Sequence, residues 1–120
     1  MTTTPLHHLT IAEAGRLIED RSLSPVELTR AFLDRIEKLD PKLNAYITVT
    51  ADLALDQAAR AEDELVAGQR RGPLHGIPIA LKDLFDTAGV ATTSGSRVFA
   101  NWVPGSDGTV AARLREAGAV

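Results

Sequence analysis

Apolar residues in the first half of the chain recur at the spacing of a helix face. Ile11, Ala14 and Ile18 mark one stripe, and Leu28, Phe32, Ile36 and Leu39 mark a second, with the three- and four-residue steps of an amphipathic α-helix. Each stripe carries a start signal. Thr10-Ile11-Ala12-Glu13 reads as a capping box, whose hydroxyl and carboxylate satisfy orphan amides. Ser24-Pro25-Val26-Glu27 reads as another, with proline at the first helical position, where its missing N–H costs nothing. Pro41 is expected to stop the second helix after Asp40. A third helix, rich in alanine and charge, is expected from about Thr50 to Val66 or Ala67, closed by Gly68. The last is expected to start on Ser106 or Asp107 as its cap, continue through Val110, Leu114 and Ala117, and end at Gly118.

Between the helical stripes the pattern changes. Asn44-Ala45-Tyr46-Ile47-Thr48-Val49 is rich in β-branched and aromatic residues and predicts a strand. Ile77-Pro78-Ile79-Ala80-Leu81 predicts a buried strand. Pro78 has no N–H to donate, so this strand is an edge there, or its first residues lie outside the pairing. Asp86 to Val90 reads as a turn, and Thr92-Thr93-Ser94-Gly95-Ser96 as a hydroxyl-rich loop. The predicted class is α/β.

With 120 residues, 44% hydrophobic and 24% charged, the chain fits one small soluble domain. A net charge of −3 with no basic face argues against nucleic-acid binding. The longest apolar run, Ile77 to Leu81, is too short to cross a bilayer. Met1 to His8 lacks the basic and apolar regions of a secretion signal, so the expected compartment is the cytoplasm. Without cysteine there is no disulfide scaffold, thiolate metal site or cysteine nucleophile. Residues 1–71 carry most of the charge and residues 72–120 most of the glycine. The first stretch therefore reads as a helical arm with one strand, the second as a strand, loops and a helix around the chemistry. Ala119-Val120 has the look of a further strand beginning, so the chain is expected to be the front piece of a longer domain.

Within residues 72–120, Lys82 stands out. The chain uses arginine far more often than lysine, and Lys38 and Lys42 sit in or beside a charged helix, whereas Lys82 ends the most apolar segment. Lysine, unlike arginine, loses its proton when desolvated and can then act as a general base near neutral pH. The competing reading is a lysine that snorkels to solvent or pairs with Asp83. Other candidates carry less. Ser94 and Ser96 flank Gly95 without a nucleophile-elbow pattern. His7, His8 and His75 lack metal-ligand spacing. Gly105-Ser106-Asp107-Gly108-Thr109 lacks the lysine of a phosphate loop. Asp83 and Asp86 read as solvated loop residues rather than a carboxylate dyad.

Gly72-Pro73-Leu74-His75-Gly76-Ile77-Pro78-Ile79-Ala80-Leu81-Lys82-Asp83 closely resembles the lysine-bearing segment of the amidase signature family. The resemblance continues through Thr92-Thr93-Ser94-Gly95-Ser96 and into Asp107 to Val120, and it covers nearly the whole chain from about Leu9. It implies N-terminal helices and first strands of a mixed sheet flanked by helices. It also implies hydrolysis of a carboxylic amide, or transfer of its nitrogen, by a Ser–cis-Ser–Lys triad with no cofactor or metal. Lys82 matches the triad's lysine. The glycine- and serine-rich segment that supplies both serines lies beyond the strand beginning at Ala119, and Ser94 and Ser96 do not match those serines. The 120-residue piece alone is therefore expected to hydrolyse no amide.

Three functions follow. The first is a simple amidase acting on a small-molecule amide, which the Asp83-Leu84-Phe85-Asp86-Thr87 segment favours. The second is the family's tRNA-dependent amidotransferase subunit, which hydrolyses glutamine and needs partner subunits. The third is a non-catalytic binding or structural module. The N-terminal amphipathic helices offer a surface for a homodimer.

Overall fold

A computed structural model describes residues 4–120; Met1, Thr2 and Thr3, the start of the octet read for a targeting signal, lie outside the described residues. Four α-helices follow in order: α1 (Ile11–Glu19), α2 (Pro25–Leu43), α3 (Ala51–Val66) and α4 (Thr109–Glu116), with short 3-10 turns at Leu6–His8 and Arg97–Phe99. Among the described residues no helix is long and apolar enough to cross a membrane.

The helix ends follow local chemistry. Thr10 and Glu13 form the complete capping box of α1. Ser24 caps α2 through its own side chain, accepting from the amides of Val26 and Glu27, with Pro25 in the first turn; the expected box is only half formed, since the Glu27 carboxylate does not bond back to the Ser24 amide. Helices α1, α3 and α4 close in one way: the residue after the cap turns left-handed, and two amides return to carbonyls of the last turn. Gly68 fills that position after α3 and Gly118 after α4, while Arg21 takes it after α1 at φ 63°.

Two further helix expectations need correction. Pro41 does not stop α2, which runs on to Leu43. A proline in the last turn withholds only one bond there, and the helix end is set instead by Asn44 at φ 49°. The Asp40 carboxylate fastens this exit by accepting from the amides of Ala45 and Tyr46 at 2.7 and 3.2 Å. Neither Ser106 nor Asp107 caps α4; Gly108 does, without a side-chain bond. The Asp107 carboxylate is engaged elsewhere, accepting from the Ala88 amide at 2.8 Å and pairing with Arg115 Nε at 2.9 Å.

The expected first strands and mixed sheet are not formed. Among the described residues there is one isolated bridge, Thr87 with Val90, and no strand. Residues 44–49 are irregular and exposed, with a bend at Ile47, and their first amides are taken by Asp40 rather than by a neighbouring chain. The 77–81 segment pairs with residues 118–120 through too few bonds to make a ladder. Gly76 N–H donates to Gly118 O at 2.8 Å, Val120 N–H to Ile77 O at 2.9 Å and Ile79 N–H to Val120 O at 2.8 Å. The last two bonds form one step of parallel pairing centred on Pro78. In that register the Pro78 nitrogen faces away from Val120, so the proline breaks nothing.

The core gathers Ala14 and Ile18 of α1, Leu23, Leu28 of α2, Leu65 of α3 and Ile77, with Phe32 and Ile79 packed against it. It therefore sits at the root of the 77–82 segment and holds its first residue while leaving its end outside.

Candidate functional site

Lys82 stands at the end of a segment that is buried at its start and exposed at its end. Ile77 is buried, Pro78 and Ile79 are half-buried, and Ala80, Leu81 and Lys82 are exposed. The expected buried strand is thus buried only at its root, because the core covers Ile77 and just one short chain, 118–120, lies alongside. Immediately after Lys82 the chain turns: the amides of Leu84 and Phe85 both donate to the Lys82 carbonyl, at 2.7 and 3.1 Å. The backbone of Lys82 is thereby fixed on both sides.

The side chain borders a groove of about 1000 Å³. Its walls come from Phe32 and Ile36 of α2, Tyr46 and Val49 of the 44–49 segment, Leu53 of α3 and Leu114 of α4, with Ile79 beside Lys82 on its own segment. A mostly apolar cleft bordered by Lys82, Asp83, Arg115 and a few hydroxyls has the lining of a ligand site.

Asp83 departs from the expectation of a solvated loop residue. Its Oδ1 accepts from the Thr93 amide at 2.8 Å and its Oδ2 from the Thr93 hydroxyl, while its carbonyl accepts from the Ser94 amide at 2.8 Å. The Thr93 hydroxyl bond first, then the Thr93 amide, holds the Asp83 carboxyl below the usual carboxylate range, with desolvation opposing them. Lys82 makes no ion pair with it among the described residues. Asp86 lies apart and exposed; its carbonyl accepts from Gly108 N–H at 2.8 Å.

The remaining candidates have local duties. The Ser96 side chain caps the 97–99 turn by accepting from the Val98 amide at 3.2 Å, and Ser94 is exposed at φ 52°. His7 and His8 stack edge to face with ring centres 4.3 Å apart. His75 is buried, with Nε2 2.7 Å from Ala61 O and Nδ1 accepting from the Arg71 amide at 3.3 Å. Those partners assign the proton to Nε2, so the ring joins α3 to the turn before Ile77. Gly118 makes room for it, since a Cβ there would lie 2.7 Å from Nδ1. The Arg71 guanidinium grips the Glu64 carboxylate and reaches Arg115 O at 3.2 Å, tying α3 to the end of α4.

Thr93 is the residue that sequence reasoning missed. The run of hydroxyls at Thr92 to Ser96 was its only signal, and a run of hydroxyls does not say which carboxylate it binds.

A family model described as Amidase matches residues 27–120. The chain is 53% identical over 115 residues to a glutamyl-tRNA(Gln) amidotransferase subunit of Geobacter metallireducens, and 50% identical over 115 residues to the same subunit of Pseudomonas aeruginosa. Each alignment covers 96% of this chain and 24% of the relative, so the chain spans about a quarter of the length of the curated relatives it matches. Among solved structures, the native peptide amidase from Stenotrophomonas maltophilia superposes with a TM-score of 0.90 at 39% identity, covering 97% of this chain and 24% of that one. A fatty acid amide hydrolase superposes at 0.91 with 30% identity, covering 98% and 21%.

Proposed function

The chain belongs to the amidase signature family, and from that premise we propose that it carries the general base of an enzyme hydrolysing carboxylic amide C–N bonds. The observation that carries the reading is the setting of Lys82: an amine on a backbone pinned by the core, the 118–120 segment and the following turn, at the edge of an apolar groove, with no carboxylate paired to it among the described residues. A neutral Lys82 accepts a proton, through a bridging serine, from the serine that attacks the amide carbonyl, and returns it to the amide nitrogen, which leaves as the C–N bond breaks; water then attacks the acyl-serine ester and releases the carboxylic acid. Both serines come from outside these 120 residues. Ser94 and Ser96 take no part, and the 120-residue chain alone turns over no aryl amide.

A second reading is favoured by a separate observation. The relatives named as glutamyl-tRNA(Gln) amidotransferase subunits are 42–53% identical to the chain, against 39% for the peptide amidase. On that reading the amide is the side chain of glutamine, and companion subunits use the ammonia released. Residues 83–87 point the other way, to a simple amidase with a small-molecule substrate. Ammonia release by the complete gene product separates the two. Hydrolysis of simple primary amides by the protein alone supports the amidase. Glutaminase activity that appears or rises severalfold only with companion subunits supports the amidotransferase. No ammonia under any of these conditions overturns both.

A further inference from the structure

The Asp83–Thr93 contact has a consequence for Lys82. A general base must spend part of its time neutral, and an adjacent carboxylate opposes this by stabilising the ammonium form. The chain places such a carboxylate on the very next residue. In the structure both oxygens of that carboxylate are occupied by Thr93, one by the amide at 2.8 Å and one by the hydroxyl, and among the described residues it forms no ion pair with Lys82. The Asp83 carbonyl accepts from Ser94 N–H at 2.8 Å, and Gly95 N–H donates to the Thr93 hydroxyl oxygen at 3.3 Å, which orients the hydroxyl toward Asp83.

We propose that Thr93 is a positioning residue for Lys82: it holds the Asp83 carboxylate off the amine and fixes the turn on which the amine is mounted. The other charged or titratable groups bordering the same groove are Arg115 from α4 and Tyr46 from the 44–49 segment. Arg115 is committed to Asp107, with Nε 2.9 Å from Oδ2. Asp83 is therefore the one carboxylate bordering the groove among the described residues. The inference rests on Lys82 being the base.

The test is the pH profile of kcat/KM for amide hydrolysis by the complete gene product. Its acid limb follows the loss of a proton from the base. Thr93→Val keeps the backbone amide and removes the hydroxyl. With the carboxylate released, the limb moves up by about one pH unit, and kcat/KM on that limb falls about tenfold and converges with the parent at high pH. Thr93→Ser restores the parental limb. Asp83→Asn combined with Thr93→Val also returns it, because no carboxylate remains to stabilise the ammonium. A merely structural role lowers the rate equally at all pH values and is not corrected by the second substitution; either result overturns the inference. Where Thr93→Val does not fold, Asp83→Asn alone carries the test: its limb stays at the parental pH, and a limb moved downward, which would mean that the carboxylate already acts on the amine, is the contrary result. Lys82→Arg separates the two levels. Full activity in that variant defeats the reading of Lys82 as base, whereas an inactive Lys82→Arg with an unmoved Thr93→Val limb defeats only the role of Thr93.

Discussion

Gly118 and His75 show how much of this chain is decided by single atoms. Gly118 closes α4 at φ +81°, and its missing Cβ leaves the space that the His75 ring occupies. The ring in turn accepts from the Arg71 amide and donates to the Ala61 carbonyl, so one imidazole satisfies two backbone groups around a buried point. Gly118→Ala is strained in its backbone and collides with Nδ1. It is expected to lower stability by about 1–3 kcal/mol, read as an earlier urea midpoint with an unchanged slope. An unshifted midpoint would mean that the helix end and the ring relax independently. At this scale the sequence shows that a glycine ends the helix. It does not show that a histidine far back in the chain needs the same space.

The elements repeat this division between what is local and what is not. The Thr10 box, the Ser24 cap with Pro25 behind it, and Gly68 and Gly118 at helix ends all depend on residues within a few positions of one another, and each is legible in sequence. Where sequence and structure differ, the deciding partner lies further off. Pro41 alone does not end α2, because the exit is held by the carboxylate of Asp40 reaching forward to Ala45 and Tyr46. Asp107 has the chemistry of a cap, but Ala88 and Arg115 claim it. Asn44–Val49 and Ile77–Leu81 have strand composition, but a strand exists only with a neighbour, and composition cannot supply one. The link between α3 and α4 gives this scale its prediction. The Arg71 side-chain bonds, against some desolvation, hold Glu64 below its ordinary value of 4.5. A carboxyl depressed in the folded state stabilises the fold above that value and ceases to do so as pH falls through the folded one. Arg71→Met is therefore expected to melt earlier than the parent at pH 7, with the gap closing as the pH drops below 4.5. A gap that persists unchanged in acid would assign Arg71's contribution to packing and to its bond with Arg115 O.

Over the whole molecule, burial is lopsided. The core is concentrated around α1, the start of α2, the end of α3 and Ile77, whereas Leu81, Leu84, Val98, Phe99 and Trp102 remain exposed. The lysine thus follows a root buried in the core, and the described surface beyond it is rich in apolar side chains. The resemblance carried by Gly72 to Asp83 makes the family legible in the sequence alone, because those residues are unusual and contiguous. The loop holding Asp83 is not legible there, because its partner lies ten residues on and is one hydroxyl among several. What remains is whether the amine at position 82 does the work assigned to it. The most direct measurement is kcat/KM for amide hydrolysis by the complete gene product with Lys82→Met, which keeps most of the stem and removes the nitrogen. Loss of a positioned general base predicts a fall of about 10²–10⁴-fold. Turnover equal to that of the parent would contradict the account.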